Sequence, residues 1–177
     1  INFMKVNFTQ VTKYKDFKKI YFDKIIKEII KIGNLQSTNS IILDYGCGEK
    51  RLEKNLNKKI LNYDINEKYS EMSNFLDKDF DIIIINHVLM YMSVNEINSL
   101  FDTIYSTNSN CQFIIGIGKQ NLISKFAKNI TLNFNAHHGT MSSYKEQYKI
   151  IQEKMKIIKK KKNIFFMTDI FFTQFKL

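Results

Sequence analysis

Proline and tryptophan are absent from this 177-residue chain, arginine occurs once (Arg51) and alanine twice (Ala127, Ala136). Without proline there is no proline-rich linker, and no glycine- or serine-rich stretch replaces one, so the chain reads as one domain. Two cysteines, Cys47 and Cys111, make neither a disulfide framework nor a zinc site. The longest apolar runs, such as 82–85 and 164–167, fall far short of the roughly 20 residues that span a bilayer. The opening INFMKVNFTQ has no apolar signal-peptide core. The expectation is a cytoplasmic protein with no membrane insertion.

What is abundant is lysine, isoleucine and asparagine, and the net charge is +10. A basic chain invites a nucleic-acid reading. Nucleic-acid sites favour the arginine fork, however, and this chain almost lacks it. AT-rich codons account for the same composition, so the charge is read as a solvated lysine coat. Nucleic acid is therefore the lesser expectation among partners.

The hydrophobic pattern alternates in type. Residues 14–32 carry Phe17, Ile20, Tyr21, Ile25, Ile29 and Ile32 at helical spacing, with Gly33 as the stop. Ile41–Asp44 and Ile60–Tyr63 read as short strands, with a glycine turn and a short helix (49–57) between them. Residues 66–79 are polar and irregular, with room for one helical turn. Phe80–Ile85 and Gln112–Ile117 are unbroken apolar runs, as expected of strands buried on both faces. A helix at 94–107 turns Ile97, Leu100, Phe101 and Ile104 inward, and residues 119–128 suggest a shorter one. Another helix is expected over 142–160, with Tyr144, Tyr148, Ile151, Met155 and Ile158 on one face. Lys159–Lys162 would close it, or contact a phosphate-bearing ligand. Residues 164–175 read as one bent strand or two.

Alternating strands and helices with fully apolar strands predict an α/β fold: a mostly parallel sheet with helices on both faces. Ligands then bind at the carboxyl ends of the strands. Asp44, Gly46 and Gly48 follow the first strand, Asp64 the second, Asn86 and His87 the third, and Gly116 and Gly118 the fourth. Asp64 lies 18 residues after Gly46, where a carboxylate holds both hydroxyls of a ribose. A dinucleotide site would need a third glycine at position 51, which is Arg51. Asp44, two residues before the first glycine, is poorly placed for a pyrophosphate and well placed for the ammonium of an amino-acid moiety. An adenosine bearing a cationic sulfonium and a methionine tail suits this pattern.

At these residues the chain resembles the class I S-adenosylmethionine-dependent methyltransferases, which have a Rossmann-like fold. ILDYGCGEKRLEKNL is similar to their first motif, NYDIN to the acidic motif of the second strand, and FDIIIINHVLMYM to the fourth-strand motif. The resemblance runs from about Ile41 to Gly118. It implies S-adenosyl-L-methionine as cofactor, with Asp44, Gly46, Cys47 and Gly48 beside its methionine half. It further implies Asp64 on the ribose, Ile65 against the adenine, and Asn86 with His87 near the amine or sulfonium. By itself Cys47 reads as a small residue that packs, since nothing nearby activates a thiolate. Tyr14 would cap the cofactor carboxylate.

Departures from the family pattern are informative too. Lys50 stands where the family often has a third glycine, and its side chain would reach the cofactor carboxylate or water. Only 15 residues separate Asp64 from Phe80, so the fold should be shortened there, with one element missing. Ser73 or Asn74 would then meet the adenine amino group. Tyr91 stands where many relatives have His.

The resemblance assigns residues 1–34 to a helical cap or lid, 41–118 to the cofactor core and 119–177 to the acceptor side. His137 or His138 would be the base that deprotonates the acceptor, with Tyr91, Phe134 and Tyr144 lining its pocket. Tyr148 reads better as core. A small-molecule acceptor, methylated on oxygen or nitrogen, is the first expectation, because N-H-V-L at 86–89 is not the Asn/Asp-Pro-Pro-aromatic pattern of amino-methylating DNA enzymes. An RNA acceptor and an inactive methyltransferase-like partner subunit are the alternatives.

Overall fold

The computed structural model describes residues 17–119 and 140–176. Isoleucine-rich runs, both faces of which need cover, pair as parallel strands: β1 (Ile42–Tyr45), β2 (Leu61–Tyr63), β3 (Ile82–Asn86) and β4 (Gln112–Gly118). β5 (Met155–Ile164) and β6 (Thr168–Phe175) form a hairpin, and β6 pairs antiparallel to β4. The sheet order is β2-β1-β3-β4-β6-β5. The chain steps from β1 to β2 on one side and to β3 on the other, so the switch point lies between β1 and β3.

Helices cover both faces. α1 (Phe17–Ile32) and α2 (Arg51–Leu56) place Ile25, Ile26, Ile29, Leu52 and Leu56 on Ile42, Ile82, Ile84 and Ile114. α3 (Val94–Thr107) and α4 (Tyr144–Lys154) cover the other face. In α3, the four residues expected inward are all buried. Each such side chain is worth about 1.5–3 kcal/mol. Capping boxes, Ser93 with Glu96 and Ser143 with Glu146, start α3 and α4 by satisfying otherwise orphaned amides. Among the described residues no helix is long and apolar enough to cross a membrane.

Several expectations change. In α1, Ile20 is 60% exposed, and Ile26 takes the inward place that the spacing gave it. The helix stop is a Schellman turn. Asn34 holds the left-handed conformation (φ 50°), and Leu35 N–H donates to Ile30 O at 2.9 Å. Gly33 is needed for packing instead, because a Cβ there would lie 2.4 Å from Ile114 Cδ1.

The helix expected over 142–160 ends at Lys154. From Met155 the chain is extended, because Met155 pairs with Phe175 and the following residues with the rest of β6. Lys159–Lys162 therefore lie along an edge strand, where lysine discourages strand addition. Of residues 164–175, Ile164 ends β5, a turn follows at 165–167, and 168–175 form β6.

Between β2 and β3 both a helix and a strand are missing. Residues 64–81 hold one 3-10 turn, Phe75–Asp77, and the sheet ends at β2. Phe75 fills the space, with its ring 5.1 Å from those of Tyr45 and Tyr63. Asn74 caps this turn through Leu76 N–H, which engages the side chain expected at an adenine.

Candidate active site

The carboxyl ends of β1–β4 and the amino end of β6 share one rim, and the first glycine loop crosses it. Gly46 and Cys47 donate their N–H groups to Tyr63 O, at 2.7 and 3.1 Å, tying the loop to β2. Gly46 has φ 83°, and a Cβ there would meet Val88 Cγ2 at 2.3 Å. Gly48 also has a positive φ, 48°, but a Cβ there would meet nothing within 4 Å. One glycine is required by packing. The other leaves open space above the loop.

Two carboxylates flank that space. Asp64 Oδ2 accepts Gly48 N–H and Oδ1 accepts Asn66 N–H, both at 2.9 Å. A carboxylate offers about four lone-pair sites, so Asp64 keeps acceptor capacity. Asp44 is buried, and among the described residues no group donates to its carboxylate. Burial, followed by the negative charges of Asp64 and Glu53, pushes its carboxyl up to about 7. A buried acid at a switch point without a donor is a functional signal. The Cys47 thiol is pushed up to about 12, first by burial and then by Asp44 and Asp64, so no thiolate forms.

The third strand delivers Asn86 and His87. Asn86 Oδ1 is buried and has no hydrogen-bond partner among the described residues. His87 has φ 57°, and its Nε2 lies 3.1 Å from Thr168 Oγ1, which also bonds the Tyr21 hydroxyl. Phe22 packs edge-on to the imidazole, with ring centroids 5.8 Å apart. His87 thus joins α1 to β6. The glycines of β4, read from the sequence as ligand-lining, instead seat these two side chains. A Cβ at Gly116 would fall 2.3 Å from Asn86 Oδ1, and one at Gly118 3.1 Å from His87 Cε1.

Lys50 does not point at the loop's open side. Its Nζ donates to Glu71 Oε1 at 2.6 Å. Burial alone would raise the Glu71 carboxyl, but hydrogen bonds from Lys50, Lys59 and Asn62 hold it down at about 2. Ile65 is exposed beside Asp64. Tyr91 is half-buried in the turn Leu89–Tyr91 after β3, and burial raises its hydroxyl.

Tyr144 does not present a free hydroxyl. It donates to Asp169 Oδ2 at 2.7 Å. Asp169 Oδ1 accepts Asn163 N–H at 2.7 Å and lies 2.8 Å from Lys119 Nζ. Burial would raise the Asp169 carboxyl, but these bonds hold it below the usual range. Sequence reasoning missed this cluster; the available signal was an acid alone in the apolar stretch IFFMTDIFFTQF. Tyr148 stacks on Tyr144 and packs on Phe171, as core. His137, His138, Tyr14 and Phe134 lie outside the described residues. A depression of about 670 Å³ at the opposite end, lined by Asn39, Asp79, Asp81 and Asn108 among others, holds none of the rim residues.

No protein-family model matches the sequence, and no curated protein matches it. Solved structures do match. Magnesium protoporphyrin IX methyltransferase (ChlM) from Synechocystis PCC 6803, with bound SAH, is 17% identical at a TM-score of 0.61, covering 93% of this chain and 90% of that one. The N-methyltransferase NodS from Bradyrhizobium japonicum WM9, in complex with S-adenosyl-L-homocysteine, is 11% identical at 0.63, covering 96% of each chain. The small RNA methyltransferase HEN1 is 13% identical at 0.68, covering 93% of this chain and 26% of that one. The fold is the Rossmann-like class I methyltransferase fold, with its middle shortened.

Proposed function

We propose that the chain transfers a methyl group from S-adenosyl-L-methionine to an acceptor at this rim. The observation that carries the reading is Asp44: a buried carboxylate with no donor among the described residues, beside an open glycine loop, calls for a cation. An ammonium answers that need and a pyrophosphate aggravates it. The orphaned Asn86 Oδ1 fits the same ligand, since it can accept from an amine. Asp64 would hold the ribose hydroxyls with its remaining acceptor capacity, and Ile65 would cover the adenine with apolar surface. When bound, the cofactor supplies an electrophilic methyl on a sulfonium. The protein's tasks are then to hold the acceptor in line with it and, where the acceptor carries a proton, to remove that proton. His137 or His138 is proposed for the second task. Tyr91 remains the proposed acceptor-side contact, whereas Tyr144 acts through Asp169.

The sequence favours a small-molecule acceptor. An RNA acceptor is the second reading, favoured by an uneven distribution of charge described below. The test is incubation with methyl-labelled S-adenosylmethionine and separate pools of small metabolites and RNA. Label should enter one pool with the wild type and drop at least tenfold with Asp64→Ala. Cofactor binding without transfer to either pool would point to the partner-subunit reading, and loss of both binding and transfer would refute the proposal.

A further inference from the structure

The charge of +10 is not spread evenly, as a compositional bias alone would spread it. Residues 41–118, which build the cofactor rim, carry seven basic and eleven acidic side chains. All of the excess positive charge therefore comes from the flanks. Residues 141–177 alone carry nine lysines against three acids.

Of the described parts of these flanks, α1 and β5 lie side by side. β5 is the outermost strand, and Lys156, Lys159, Lys160, Lys161 and Lys162 are all exposed along it. α1 packs against β5 and β6. Its Lys19, Lys24, Lys27 and Lys31 are exposed. Lys24 pairs with Glu28 at 2.9 Å, and Lys161 of β5 and Lys31 both act electrostatically on the same Glu28, which sets the α1 lysines beside the β5 row.

Edge protection accounts for a lysine or two. It does not account for five in one ten-residue strand, when the opposite edge strand, β2, has the sequence LNY and carries none. β5 is antiparallel to β6, so the row climbs from Lys156 towards Ile164, which pairs with Thr168 at the functional rim.

We propose that this β5–α1 face binds the sugar-phosphate backbone of a polynucleotide and leads it towards the rim. A row of ammonium groups matches a line of phosphates. A single arginine in the chain, Arg51 at the start of α2, means little readout of base edges, so binding is expected to be independent of sequence. An anionic membrane is the poorer match. Surface-bound helices insert an apolar face, and α1 buries Ile25, Ile26 and Ile29 against the sheet.

The test measures fluorescence anisotropy of a labelled single-stranded RNA of about 20 nucleotides, with the same sequence as DNA and as duplex RNA in separate arms, on the full chain without cofactor. Wild type should bind the RNA at low salt, with affinity falling steeply as salt rises. The variant carrying Lys159→Gln, Lys160→Gln, Lys161→Gln and Lys162→Gln should bind at least tenfold more weakly. Its slope of log K against log salt should flatten by about 3, at roughly 0.7 for each phosphate no longer neutralised. A second variant, Lys24→Gln with Lys27→Gln and Lys31→Gln, should weaken binding too. Lys54→Gln with Lys78→Gln, on the acidic core, should not. Unchanged melting of the variants would exclude unfolding as the cause. Equal binding by wild type and the β5 variant overturns the proposal. So does capture by phosphatidylserine vesicles without RNA binding. Because no cofactor is used, RNA binding by a chain that ignores S-adenosylmethionine would leave this inference standing while refuting methyl transfer.

Discussion

Replacing Asp44 by Asn tests the site through stability before any ligand is added. The Asp44 carboxyl stands at about 7 against an ordinary 3.8, raised chiefly by burial and then by Asp64 and Glu53. The folded value is above the unfolded one. Stability from the protonated form is therefore complete below about pH 4 and is lost as pH rises through about 7. At about 1.4 kcal/mol per unit, ionising this group in the folded state costs on the order of 4 kcal/mol, an upper bound because Asp64 and Glu53 share the field. Asp44→Asn stays neutral throughout. It should melt close to wild type at pH 4 and up to roughly 16 °C higher at pH 8, using about 2–4 °C per kcal/mol for a chain of this size. Thermal unfolding followed by fluorescence at half-unit pH steps measures this. The same carboxyl should lose its proton when an ammonium binds, so titrating S-adenosylmethionine at pH 6 in buffers of different ionisation enthalpy should show net proton release. A melting difference that does not vary with pH would refute the reasoning about Asp44.

Asp64→Ala should weaken S-adenosylmethionine binding at least tenfold, about 1.4 kcal/mol, in a calorimetric titration. Gly46→Ala and Gly48→Ala should separate stability from binding. Both force a side chain into left-handed backbone, worth about 1–2 kcal/mol. Only the first drives a methyl into Val88, so it should show the larger drop in Tm, whereas Gly48→Ala should lose cofactor affinity by filling the open side of the loop. Lys119→Met strips the cation from the buried Asp169 carboxylate and should cost about 3 kcal/mol in urea unfolding at pH 7. That cost should shrink in acid, because Asp169 is held below the usual carboxylate range and its stabilisation is lost as pH falls through the folded value.

The rim was legible because its logic is local. An apolar strand must end, and the residues that end it (Asp44, Asp64, Asn86) are polar or acidic, with Gly46 and Gly48 close behind the first. Counting fifteen residues between Asp64 and Phe80 was enough to foresee one missing element, but not that both a helix and a strand are gone. What escaped depended on distant partners. YKEQYKIIQEKMKIIKK keeps helical spacing to Ile158, but pairing of Met155 with Phe175 overrides it, and lysine suits an exposed helix and an edge strand equally. Gly116 and Gly118 signal a close approach without saying by what, and the approaching groups are Asn86 and His87. The bond from Tyr144 to Asp169 joins residues 25 positions apart and leaves no periodic trace.

The most direct measurement is calorimetric titration of the purified chain with S-adenosylmethionine, S-adenosylhomocysteine and NAD. Micromolar binding is predicted for the first two, both of which carry the ammonium that Asp44 lacks. None is predicted for NAD, which brings a pyrophosphate to a loop flanked by acids. Binding of NAD, or of none of the three, would contradict the assignment of this rim to S-adenosylmethionine.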